Sequence, residues 1–300
     1  MHNNTWSTKI QGIKNLELSR ELRFRDDRKE LFLSLLDLRP GMTVLDVGCG
    51  PGAITRKLAT WLGEESTIIG VDRDSEFIKY AEEKARDLNL KNVTYFGCDA
   101  FKLPLEDNSV DACISHTVIE HVPHKEFLLE QKRVCRPKGR VSVMYQRPDK
   151  SIKTQPSDLP PISKRELELM EQLFELSDKK LDEYNVGKYW PDPVELPKLF
   201  EKLGFTSIQV DSIAMPIVID DARHSTEDKV KIISSNKEQL LESIDMASHD
   251  ASGKLQANEL RELKGLINER IKQRIELAKR GTALWDYNIL LLQIVSGLVE

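Results

Sequence analysis

Hydrophobic residues along positions 26 to 146 follow two alternating spacings. Leu31, Phe32, Leu35 and Leu36 recur at helical intervals after Asp26-Asp27, and Pro40-Gly41 stops that helix. A short apolar run over 43–47 then reads as a first strand, and a glycine-rich loop leads to a helix bearing Ile54, Leu58, Ala59 and Leu62. TIIGVD makes a second strand ending at Asp72, followed by a helix capped at Asp74 or Ser75 that buries Phe77, Ile78, Ala81, Ala85 and Leu88. VTYFGCD, DACISH and RVSVMY supply strands three, four and five, with a helix over 127–135 before the last. Strands alternating with helices predict an α/β fold: a doubly wound, mostly parallel sheet covered by helices on both faces.

Beyond residue 146 the spacing changes. A polar loop runs through Pro160-Pro161, and Ser163-x-x-Glu166 opens a helix as a capping box with Leu167, Met170 and Phe174 on one side. A helix over 193–203 and a strand from Phe205 resume the core pattern. Residues 226–280 are helical, with Leu260, Leu263, Ile267 and Ile271 at three-to-four spacing, and 285–295 reads as a final strand. The predicted division is an N-terminal flap (1–25), a cofactor-binding core (26–146), an insertion or lid (147–192), the core continued (193–216), a helical insertion (217–283) and a last core strand (284–300). The 217–283 excursion is either a lid or a homodimer surface.

Composition narrows the class of partner. The formal charge of −5 is spread among interspersed Lys, Arg, Asp and Glu, which offers no field to concentrate nucleic acid or an anionic membrane. Four cysteines lie far apart, which fits a reducing compartment. No signal-peptide pattern and no membrane-length apolar run is present, so a cytoplasmic protein is expected.

The candidate chemistry centres on VLDVGCGPGA. Gly48-x-Gly50-x-x-Ala53, with Asp72 some twenty residues on, matches a dinucleotide fingerprint. Asp46 argues against a pyrophosphate: like charges about 4 Å apart repel by roughly 4 kcal/mol at an effective dielectric near 20. A zwitterionic ligand with an ammonium group and no phosphate would gain from the same carboxylate. S-adenosyl-L-methionine has that character. Asp46 would face its ammonium, Asp72 its ribose hydroxyls and Asp99 its adenine amine, while Gly48, Cys49, Gly50 and Gly52 let the backbone approach the ligand.

VLDVGCGPG, GVDRD, GCDAFKLPLEDNSVD, EHV and CRPKGRVSV together resemble, in order and spacing, the successive motifs of class I S-adenosylmethionine-dependent methyltransferases of the small-molecule type. The resemblance covers residues 28 to 146. It implies a Rossmann-like, seven-stranded sheet with one antiparallel strand, Ala100 and Phe101 flanking adenine, and His116 near the methionyl portion. Arg73 departs from the usual apolar neighbour of the ribose acid and either lines the adenine pocket or reaches solvent.

Methyl transfer is an in-line displacement that asks mainly for alignment and water exclusion. A base is needed only where the acceptor must lose a proton. His121, in the cluster His116, Glu120, His121 and His124, is the candidate base, with loop shaping as its alternative; no metal site is expected. Trp6, Tyr145, Trp190 and His224 are candidate acceptor contacts, with core packing as the alternative for the aromatic pair Tyr145 and Trp190. Arg20, Arg23 and Arg25 either join Trp6 in a flap over the cofactor or lie on a solvated helix face. The expected acceptor is a small molecule; RNA or protein on the same fold, a nicotinamide oxidoreductase and a non-catalytic binding module are the rival readings.

Overall fold

Val44, Leu45 and Val47 are fully buried, which places strand β1 (Thr43–Val47) at the centre of a sheet covered on both faces. In the computed structural model, which describes residues 6–154, 160–174, 185–250 and 255–300, β1 pairs in parallel with β2 (Thr67–Asp72) on one side and β4 (Val110–His116) on the other. β3 (Val93–Gly97) lies outside β2, and β5 (Cys135–Gln146) outside β4, both parallel. The chain's last strand, β8 (Tyr287–Val299), runs antiparallel between β5 and β7 (Phe205–Val218). The two-residue β6 (Ile152–Lys153) prolongs the β5 edge, pairing with Asn288 and Ile289. The seven long strands thus stand in the order β3-β2-β1-β4-β5-β8-β7. Strand connections diverge between β1 and β4, so the crevice beyond their carboxyl ends is where a ligand fits.

Alternation along β1 divides the core. Val44 joins Phe24, Phe32, Leu58 and Trp61 on one face, while Leu45 and Val47 join Phe127, Leu128 and Phe200 on the other. The covering helices are α1 (Ile13–Arg23), α2 (Lys29–Leu35), α3 (Ala53–Leu62), α4 (Ser75–Asp87), α5 (His124–Val134), α6 (Lys164–Phe174), α7 (Glu195–Lys202), α8 (Thr226–Asp250) and α9 (Ala257–Lys279). A satellite core of Leu169, Leu173, Ile244, Leu263 and Ile267 joins α6, α8 and α9. Each such side chain contributes about 1.5–3 kcal/mol on full burial, so these helices carry a core of their own.

Local expectations need adjusting in four places. Leu88, expected on the buried face of α4, lies just past its last residue and is exposed, while Phe77, Ile78, Ala81 and Ala85 are buried. The helix expected from Asp26 starts as one 3₁₀ turn and becomes α-helical at Lys29, with Leu31 exposed while Phe32, Leu33 and Leu36 are buried. In α6 the inner face carries Leu169 and Leu173 instead of Leu167, which is exposed. The cause is Glu166: Ser163 Oγ accepts from its amide as a cap should, but its carboxylate turns inward to Arg270 at 2.7 Å and sets the buried stripe one position away. The turn expected at 137–139 lies inside β5, which begins at Cys135. Residues 1–5, 155–159, 175–184 and 251–254, parts of the expected flap and both insertions, lie outside the described residues.

Candidate active site

A cavity of about 410 Å³ opens beyond the carboxyl ends of β1, β2 and β4. The loop after β1 forms its floor. Gly48 has φ +74°, and a Cβ there would collide with Val118 Cγ2, so the backbone fits only without a side chain. Gly48 N and Cys49 N both donate to Val71 O, at 2.8 and 2.9 Å. Asp72 braces the same loop: one carboxylate oxygen accepts from Gly50 N and the other from Asp74 N, each at 2.9 Å. Each oxygen keeps a second lone pair for a ligand hydroxyl.

Asp46 is the β1 residue whose side chain returns to the α3 side, where Thr55 Oγ1 donates to it at 2.7 Å. It lines the cavity yet is 1% exposed, and burial pushes its carboxyl up to about 7. A cation delivered there would restore the ionised form. Asp99 accepts from Phe101 N at 3.0 Å, and Cys98, Asp99, Ala100 and Phe101 border the cavity together.

The N-terminal segment makes the opposite wall. Glu242 of α8 caps α1, accepting from Lys14 N at 3.1 Å and Asn15 N at 2.6 Å, and a buried Arg56–Glu17 ion pair ties α1 to α3. Held this way, α1 presents Leu16, Arg20 and Arg23 to the cavity. Arg20 donates to Thr117 Oγ1 at 2.9 Å; Thr117 sits at φ +54°, a strained conformation for a β-branched residue directly after β4. Ahead of α1, Ser7 donates twice to Asp74, at 2.8 and 3.0 Å, and Trp6 lies between Arg73, 5.9 Å from its ring, and His121, whose ring packs edge-on at 4.7 Å.

At the rim of β4, His116 is buried and held well below its ordinary range by desolvation and by Arg20 and Arg23. Glu120 is 1% exposed; one oxygen accepts from Gln146 N at 3.3 Å, the other is buried without a partner among the described residues, and burial pushes the carboxyl up to about 7. His121 Nδ1 accepts from Gly187 N at 2.9 Å, which leaves the ring proton of the neutral form on Nε2, and burial lowers it to about 4. His124 turns away to Tyr189 O at 2.7 Å.

Of the residues singled out in the sequence, Trp6, Asp46, Gly48, Cys49, Gly50, Asp72, Arg73, Asp99, Ala100, Phe101, His116, His121 and Trp190 share this one cavity. Five do not reach it: Arg25, which pairs with Asp27, and His124 are two, and the others are Gly52, Tyr145 and His224. Gly52 lies behind the loop as the cap of α3, where a Cβ would meet Tyr95 Oη at 2.7 Å. Tyr145 is fully buried in the core, because strand alternation gives the cavity its neighbour Gln146 instead. His224 stands beyond β7 against Arg25 and Ile219 O, both at 3.3 Å. Gln11, Leu16, Thr117, Gln146 and Asn185 also line the cavity and carried no signal of their own in the sequence.

A family model described as a methyltransferase domain matches residues 38–265. The chain belongs to that family. It is a class I S-adenosylmethionine-dependent methyltransferase, and S-adenosylmethionine is its cofactor. This methyltransferase is 30% identical over 185 residues to a demethylmenaquinone methyltransferase of Bacillus cereus, an alignment covering 61% of this chain and 77% of that one. It is 37% identical over 114 residues to an uncharacterised 37.1 kDa protein in a Streptomyces fradiae transposon, spanning 38% of this chain and only 32% of the relative. In fold it resembles Haemonchus contortus phosphoethanolamine N-methyltransferase 2, solved in complex with S-adenosyl-L-methionine, with a TM-score of 0.55 at 17% identity over 98% of this chain and 59% of that one. The methyltransferase's own residues fit the cofactor: a loop whose Gly48 has no room for a Cβ, and a buried carboxylate, raised to about 7, whose charged form a ligand cation would favour.

Proposed function

We propose that this methyltransferase acts on a small-molecule acceptor in an enclosed chamber. The observation that carries the reading is the cover over the cavity: α1 and Trp6 close one side, and Asn185 and Trp190 border the other. The cofactor shares this cavity of about 410 Å³, so the space beside it suits a compact acceptor better than a segment of RNA or folded protein.

When bound, S-adenosylmethionine supplies an electrophilic methyl group on a positively charged sulfur. The chain's residues bind, orient and exclude water around it. Asp46 holds the ammonium and Arg20, of opposite charge and within its field, faces the carboxylate of the same amino-acid moiety. Asp72 and Asp99 accept from ribose and adenine, and Ala100 and Phe101 border the base. Trp6 shields the chamber, with His121 and Arg73 as its supports. Glu120 serves as proton acceptor in preference to His121: it lines the cavity, one of its oxygens is without a partner among the described residues, and burial raises its carboxyl to about 7, whereas His121 is engaged at Nδ1 and lowered to about 4, too weak a base.

The test has two parts. Calorimetry is expected to show binding of S-adenosylmethionine and S-adenosylhomocysteine and none of NAD. Incubation with methyl-labelled cofactor and separate pools of metabolites, RNA and protein is expected to label the metabolite pool; label confined to a polymer pool would overturn the small-molecule reading.

A further inference from the structure

We infer that the methyl acceptor carries an anionic group, a carboxylate or a phosphate, and that Arg23 binds it. The inference rests on the methyl-transfer reading and extends it to the chemical class of the acceptor.

The other buried arginines show what this chain does with such a residue. Arg56 pairs with Glu17, Arg274 with Asp220 and Asp286, and Arg140 with Asp37 while donating to Gln209 and Ser296. Arg20 and Arg23 break the pattern. Both line the cavity, and among the described residues neither makes a salt bridge. Arg20 at least donates to Ser19 and Thr117. Among the described residues Arg23 Nε and Nη1 are buried with no hydrogen-bond partner, as are the same atoms of Arg274, but Arg274 has two carboxylates on its remaining nitrogen and Arg23 has none; His116 Nε2, in the same wall, is also unpartnered. Arg23 as a whole is half-buried, but its Nε and Nη1 are held out of water with no counter-charge, which is unfavourable unless something entering the cavity completes them.

The carboxylates of the cavity are already engaged. Asp46 is bonded to Thr55, Asp72 to Gly50 and Asp74, and Asp99 to Phe101, while Glu120 gives one oxygen to the backbone of Gln146 and keeps the other free; among the described residues none of the four forms an ion pair with Arg23. With Asp46 assigned to the cofactor's ammonium and Arg20 to its carboxylate, the positive charge left over at the acceptor end belongs to Arg23. Desolvation agrees with this account, lowering Arg20 to about 9 and Arg23 to about 10. The planar fork of Arg23 Nε and Nη offers parallel donors to two oxygens of one anionic group, an arrangement carboxylates and phosphates share and neutral amides do not.

The experiment uses the full-length protein saturated with S-adenosylhomocysteine, titrated calorimetrically with benzoate, phenyl phosphate and benzamide. These aryl probes match a chamber bordered by Trp6 and Trp190. At least one anion is expected to bind tenfold or more tightly than benzamide, and which of the two does so separates a carboxylate site from a phosphate site. In Arg23→Met that preference is expected to vanish while S-adenosylhomocysteine affinity stays within about threefold, which also reports that the fold is intact; Arg23→Lys is expected to keep part of it. Equal affinity for anions and benzamide, including no detectable binding of any probe, overturns the inference, as does an anion preference that survives Arg23→Met. Failure of S-adenosylhomocysteine itself to bind would instead sink the methyl-transfer reading.

Discussion

Replacing Asp46 by asparagine is expected to move stability and ligand affinity in opposite directions. The amide keeps an oxygen for the Thr55 hydroxyl, 2.7 Å away in the parent, so the change is chiefly one of charge. Burial raises Asp46 from 3.8 to about 7. A carboxyl whose folded value lies above its unfolded one stabilises the fold most below pH 3.8, and that contribution is lost as pH rises through 7. Three units correspond to roughly 4 kcal/mol. The uncharged amide of Asp46→Asn has no such loss, so between pH 4 and pH 8 the ligand-free variant should gain up to about 4 kcal/mol relative to the parent, read from urea melts at several pH values. Binding behaves the other way. Losing a charge-assisted bond to an ammonium costs about 1.5–3 kcal/mol, or roughly 10- to 150-fold in Kd. Because the parent binds the ammonium with an ionised Asp46, its Kd for S-adenosylhomocysteine should be about tenfold weaker at pH 6 than at pH 8, while that of the variant stays flat. A variant that binds as well as the parent, or a parent Kd indifferent to pH across this window, would refute the charge argument.

Three further outcomes are expected. Glu120→Gln should lower kcat by roughly 10²- to 10⁴-fold with little change in S-adenosylhomocysteine affinity, and the rise of the parent's rate with pH near 7 should disappear from the pH–kcat profile. Gly48→Ala, which forces a methyl group onto Val118 at φ +74°, should cost about 1–3 kcal/mol in a denaturant melt and abolish detectable cofactor binding by calorimetry. Glu242→Ala removes the carboxylate at the start of α1; a loss of about 1 kcal/mol should appear as faster hydrogen exchange over α1 with the central strands unchanged.

The floor of the site was legible in the sequence because local rules write it. A buried strand must end, glycines must follow where backbone comes close, and acids at successive strand ends converge on one rim; Asp46, Asp72 and Asp99 could be named on that basis. The α1 wall was not legible in the same way. Arg23 stands in, and Arg20 just ahead of, a mixed-charge run that reads more readily as a solvated surface, and the helix that bears them is held by Glu242, more than two hundred positions along the chain. Tyr145 and Gln146 differ by one step of strand alternation, too fine for a boundary read from composition. His121 and Glu120 are neighbours with exchanged merits: the histidine is the more usual base, but a backbone amide from Gly187 occupies it. The Leu167 stripe failed because a buried acid, Glu166, found an arginine in a helix that sequence spacing could not pair with it.

The clasp of Glu242 on α1 separates two kinds of change available to this enzyme. The glycine floor and its acids hang from the central strands, while Arg23 is borne by a helix anchored to the late excursion at one end and braced against α3 by Glu17. Lengthening or rotating α8 would slide Arg23 across the chamber and leave the grip of Asp72 on its loop intact, but it would carry Arg20 along on the same helix, so descendants of this chain can exchange acceptors by this route only within the reach of Arg20 to the methyl donor.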